Sequence, residues 1–110
     1  MEKVAIQFIK GEDEKVIPQI SLTKSKDGQT GQALFRFENP VALLSENSKD
    51  IQGMYLIDEE GRITTREINI AVSRKNGKYT AIEVSYTWKT SNDFNRFMRF
   101  ANRYAKKNGL

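Results

Sequence analysis

Tyr79-Thr80-Ala81-Ile82-Glu83-Val84-Ser85-Tyr86-Thr87-Trp88-Lys89 alternates in polarity along its whole length. Ile82, Val84, Tyr86 and Trp88 share one face, and Ala81, Glu83, Ser85 and Thr87 the other. A period of two describes a half-buried β-strand. Just beyond it the period changes. At about 100° per residue, Phe94, Phe97, Met98, Ala101, Tyr104 and Ala105 fall within an arc of about 120°. Arg96, Arg99, Arg103, Lys106 and Lys107 occupy about 100° on the other side. The pattern predicts an amphipathic helix capped by Ser91 or Asn92, running to about Lys107, with Gly109 just past its end. Phe100 lies between the arcs, beside the basic stripe, and reads either as peripheral core or as a binding anchor.

Upstream, the chain reads as strand, turn, strand. Lys3 to Ile9 is a strand with Val4, Ile6 and Phe8 on one face, and Lys10 to Glu14 is a polar turn. Val16 to Thr23 is a second strand, in which Pro18 removes a ladder donor and implies an edge or a bulge. Ser25 to Gly31 is a loop rich in turn formers. Gln32 to Glu38 alternates, Leu34 excepted, and Asn39-Pro40 ends it. Val41 to Leu44 is either a helical turn or extended, and Ser45 to Asp50 is a polar loop. Ile51 to Asp58 is a strand with Gly53 a candidate bulge. Asp58-Glu59-Glu60-Gly61 is a solvated turn, its Gly suited to a left-handed backbone. Arg62 to Val72 is one long strand, joined to the opening stretch through the hairpin signal Asn76-Gly77. The expected fold is α+β or mostly β: an antiparallel sheet or sandwich of about six or seven strands with a C-terminal amphipathic helix.

The 110 residues predict a single domain over 1–110. The chain has no Cys and no His. Disulfides, thiolate zinc sites and the usual proton-transfer side chain are therefore excluded. No apolar run approaches the roughly 20 residues of a membrane span, and the N-terminus lacks a signal-peptide pattern. The expected setting is soluble and intracellular. Asp58-Glu59-Glu60 lacks the alternating acids of a calcium loop. Asp27 to Gly31 lacks the Gly-Lys-Ser/Thr of a phosphate loop. These residue types predict no enzyme.

Charge is placed unevenly. The chain carries 18 basic and 14 acidic residues, and its net +4 resides entirely between Ser91 and Leu110. Such a stripe is either a solvated helix face or a site for an acidic partner, an anionic membrane or a nucleic acid. A small basic nucleic-acid-binding module is the alternative reading, weakened by the absence of an RNA-recognition motif on the strands.

Three stretches resemble one known family. They are Ser25 to Gly31 running into Ala33-Leu34-Phe35-Arg36-Phe37-Glu38-Asn39-Pro40; then Gly53-Met54-Tyr55-Leu56-Ile57-Asp58-Glu59-Glu60-Gly61 with Ile63 and Thr65-Arg66-Glu67; and Phe94, Arg96-Phe97-Met98-Arg99-Phe100, Arg103-Tyr104 and Asn108-Gly109-Leu110. Together they resemble the photosystem II assembly protein family Psb28. Glu12 to Lys15 and Ser73 to Asn76 look variable against that pattern. The resemblance implies a cofactor-free, non-catalytic assembly factor, peripheral on the cytoplasmic (stromal) face of the thylakoid membrane. It implies transient binding to photosystem II intermediates that contain the inner antenna chlorophyll protein, with reaction-centre subunits also as partners. The physical expectation is pairing at an exposed sheet edge. Met54, Tyr55, Arg62 and Arg66 would line the contact, and Arg96, Arg99, Phe100 and Arg103 would meet an acidic loop or anionic lipid. An open edge also allows a homodimer in isolation.

Overall fold

The computed structural model describes residues 3–72 and 79–110. Its strands are β1 (Ala5–Ile9), β2 (Glu12–Asp13), β3 (Gln19–Lys24), β4 (Gly31–Glu38), β5 (Met54–Asp58), β6 (Gly61–Thr65), β7 (Glu67–Val72) and β8 (Tyr79–Trp88). Its helices are α1 (Val41–Leu44), a 3₁₀ turn at Ser48–Asp50, and α2 (Ser91–Lys107). They form two four-stranded antiparallel sheets, ordered β2-β1-β5-β6 and β3-β4-β8-β7. This is the mostly-β arrangement with a terminal helix that the alternation predicts. The stretch around Asn76-Gly77 lies outside the described residues.

Alternation builds the core. Ile6, Phe8, Met54 and Leu56 of the first sheet face Ala33, Phe35, Phe37, Ile82, Val84 and Trp88 of the second, all buried. Phe8 meets Phe37 edge-on across the gap, with centroids 4.8 Å apart. The described strands number eight, more than the expected six or seven, for two reasons. The polar turn after β1 folds back as the short β2. The stretch from Arg62 to Val72 is two strands, because it changes sheets at Arg66. Buried Thr65 donates its hydroxyl to the Ser85 carbonyl at 2.7 Å, and the Ile68 amide donates to the Arg66 carbonyl at 3.1 Å. The chain thus leaves β5 and joins β8. Gly53 precedes β5 rather than bulging within it, and a Cβ there would lie 2.6 Å from the Thr65 carbonyl oxygen.

Pro18 is buried just before β3, so that strand starts later than its apolar pattern suggests. Val41 to Leu44 resolves as helix. Its N-cap is Pro40, which has no polar side chain to offer the first amides. Glu14 replaces it from a distance: its carboxylate accepts from the amides of Val41, Ala42 and Val16, each at 2.9 Å.

α2 covers the open end between the sheets with its aromatic face. Phe97 lies 6.0 Å from Phe35, 5.3 Å from Tyr86 and 6.2 Å from Trp88. Phe100 and Tyr104 are buried and stacked at 5.8 Å. Each such aromatic contributes roughly 1.5–3 kcal/mol by leaving water. The helix cap is Thr90, not Ser91 or Asn92. The chain leaves β8 extended (φ −136°, ψ 159°), and the Thr90 hydroxyl accepts from the Asp93 amide at 3.1 Å. Gly109, at φ +71°, ends the helix as expected.

Candidate partner-binding site

The parity of β5 decides where its acid goes. Met54, Leu56 and Asp58 share the inward face, and Tyr55 and Ile57 the outward one. The inward face at the tip of the β5–β6 hairpin meets α2, so Asp58 enters the molecule with its side chain fully covered. Arg96 binds it with two parallel hydrogen bonds, Nη2 to Oδ1 at 2.6 Å and Nη1 to Oδ2 at 2.8 Å. Arg103 adds a third at 2.9 Å. Arg99 grips Glu60 in the same forked way, at 2.8 and 2.9 Å. Arg103 also reaches Glu60, and Glu59 at 3.3 Å. The acidic turn expected to be solvated is thus clamped to the basic stripe.

The electrostatics follow the geometry. Burial pushes the Asp58 carboxyl up, but hydrogen bonds from Arg96 and Arg103 outweigh it, so it ionises more readily than usual. The guanidiniums of Arg99 and Arg103 hold Glu60 down to about 2. In return, Glu60 raises the pKa of both Arg99 and Arg103. Three of the five stripe cations therefore face three carboxylates of the same chain, of which Asp58 is fully covered while Glu59 and Glu60 stay partly exposed. A fourth, Lys107, donates to the Val4 carbonyl at 2.7 Å.

The sequence-predicted residues separate into three places. Arg96, Arg99 and Arg103 lie in this cluster. Met54 and Phe100 are core, 0% and 2% exposed, so their side chains offer no surface. Phe100 thereby takes the peripheral-core option. Tyr55 and Arg62 belong to the outer face of the first sheet, where the Arg62 guanidinium lies 5.1 Å from the centre of the Tyr55 ring, and Arg66, at the corner between β6 and β7, lines the same cleft as Tyr55. Lys10, which the sequence did not single out, approaches that ring at 5.9 Å.

The most open edge is the strand that Pro18 marked in the sequence as an edge or a bulge, although the sequence did not single it out as the partner contact. β3 is terminal in its sheet, and all six of its residues are exposed. Ile20 and Leu22 pair with Phe35 and Ala33, which places them on the core side of the sheet. Yet they remain 41% and 45% exposed, because no further strand lies beyond them. Alternating Ile20, Leu22 and Lys24 against Ser21 and Thr23 was the available signal. Among the described residues no cluster of acids is arranged to hold a metal. Nor is any helix there long and apolar enough to cross a membrane.

The family model described as Psb28 protein matches residues 6–110. A Photosystem II reaction center Psb28 protein of Prochlorococcus marinus (strain MIT 9211) is 59% identical over 106 residues, which cover 96% of this chain and 89% of the relative. Proteins of the same name from Synechococcus sp. (strain WH7803) and Parasynechococcus marenigrum (strain WH8102) are each 56% identical. The first alignment covers 99% of this chain and 83% of the relative, the second 100% and 85%. With nearly the whole length matched and more than half of the aligned positions identical, this chain belongs to the Psb28 family.

Proposed function

We propose that this chain is a photosystem II-associated protein, and that it acts without catalysis as an assembly factor. It binds transiently to intermediates containing the inner antenna chlorophyll protein, peripherally, on the stromal face of the thylakoid membrane. The name carried by its relatives supports the association. The geometry supports a means: the outer edge of β3 pairs with an extended segment of a photosystem subunit. Unpaired backbone groups along this edge supply the hydrogen bonds. The half-exposed Ile20 and Leu22 gain cover from the incoming strand, so sheet and core are extended together. β2, of two residues and irregular in register, is a poorer edge, and β6 and β7 adjoin each other at the Arg66 corner.

A photo-reactive side chain at Ser21, on β3, tests this in assembling thylakoids. The expected result is a cross-link to an antenna or reaction-centre subunit, with none from the same group at Thr87 on β8, an inner strand of that sheet. Cross-linking from Thr87 alone would place the contact elsewhere. The nucleic-acid alternative draws no support from the basic helix, since Arg96, Arg99 and Arg103 already hold carboxylates.

A further inference from the structure

With the helix arginines paired internally, the accessible positive charge has another centre. Lys10, Arg62 and Arg66 are exposed, converge on Tyr55, and make no ion pair among the described residues. The ring of Tyr55 is almost wholly covered and lies within reach of two of these cations, Lys10 at 5.9 Å and Arg62 at 5.1 Å. Such contacts hold a cation over the ring without neutralising it. Lys10, Tyr55 and Arg66 line a cleft of about 480 Å³, and Glu12 and Asp50 line the same cleft. Glu12 is occupied by Ser45 and Asn47, each at 2.9 Å.

We propose that this cleft seats an acidic side chain of a partner polypeptide, its carboxylate held by Lys10 and Arg66 with Arg62 beside it and Tyr55 as the floor. Unpaired cations gathered on one face repel one another, and an incoming carboxylate relieves that repulsion. Two features select a polypeptide over an anionic bilayer. The site is a recess rather than a protruding surface, and its acids Glu12 and Asp50 would meet a sheet of lipid phosphates with like charge. A single carboxylate on an extended chain needs only the cations, and Glu12 is already engaged by Ser45 and Asn47. The cleft is on the first sheet and β3 on the second, so this binding and the edge pairing stand or fall separately.

The test is backbone-amide NMR of the described protein titrated with a short Gly/Glu peptide, and separately with phosphatidylglycerol vesicles. The peptide is expected to shift the resonances of Lys10, Tyr55 and Arg66. Substituting Lys10→Gln and Arg66→Gln together should weaken it about tenfold, and added salt should weaken it in wild type. Both side chains are exposed, so an unchanged urea midpoint shows that the double variant is folded. Peptide shifts that fall on α2, an absence of shifts, or vesicle binding that depends on Lys10 and Arg66 would each overturn the proposal.

Discussion

Asp58 and Arg96 stand 38 positions apart in the chain and meet at 2.6 Å. Half of that meeting is legible in the sequence. Strand parity puts Asp58 on the side of Met54 and Leu56, and helical spacing puts Arg96, Arg99 and Arg103 on one stripe. The approach of hairpin tip to stripe is not legible, because it depends on how α2 crosses the sheets. Glu14 is similar: Pro40 leaves the amides of α1 in need of an acceptor, but nothing in the chain points 27 residues upstream for it. An Asp58→Asn substitution removes the charge from a covered site facing two arginines. It should lower stability by about 2 kcal/mol in urea unfolding. Acid should act on the same cluster. The Glu60 carboxyl falls from 4.5 to about 2 in the folded protein, so on acidification the unfolded chain takes up the proton first. Its stabilising contribution is complete above pH 4.5 and is lost as pH falls toward about 2. Asp58 acts in the same direction. Acid-unfolding curves of Glu60→Gln should therefore be flatter across that window than those of the wild type.

At the scale of elements, periodicity located the long strands and α2, while their boundaries followed side-chain detail. The N-cap fell to Thr90 because its extended backbone directs the hydroxyl at the Asp93 amide, whereas Ser91 and Asn92 are already helical. Thr90→Ala should cost about 1 kcal/mol in thermal or chemical unfolding. Asn92→Ala should stay within about 0.5 kcal/mol. The switch from β6 to β7 left no mark in the alternation, because the turn at Arg66 is made by hydrogen bonds of Thr65 and Ile68 rather than by Gly or Pro. Gly31, opposite Trp88 on β8, shows the reverse case. A Cβ there would lie 2.4 Å from both the Thr23 carbonyl oxygen and the Trp88 ring. Gly31→Ala should therefore destabilise by about 1–3 kcal/mol. Since Trp88 is the chain's one tryptophan, its fluorescence should report the disturbance directly.

For the whole molecule, net charge is a poor guide to surface. The excess of cations is real in the sequence, but Arg96, Arg99 and Arg103 spend it on the molecule's own acidic hairpin. Among the described residues, the edge of β3 and the unpaired cations around Tyr55 are two surfaces that this pairing leaves open. Both were legible in part: Pro18 marked the second strand as an edge or a bulge, and the resemblance pointed to Tyr55, Arg62 and Arg66, but the apolar row left open on β3 and the approach of Lys10 to that ring depend on what lies beside them in space. The most direct test is co-purification of photosystem II subunits with tagged protein from assembling thylakoids, comparing Leu22→Asp with Arg99→Gln. The edge-pairing account predicts that Leu22→Asp, which places a charge on the exposed apolar row of β3, loses the subunits while remaining folded. Arg99→Gln should retain them. Retention by folded Leu22→Asp together with loss by folded Arg99→Gln would contradict it.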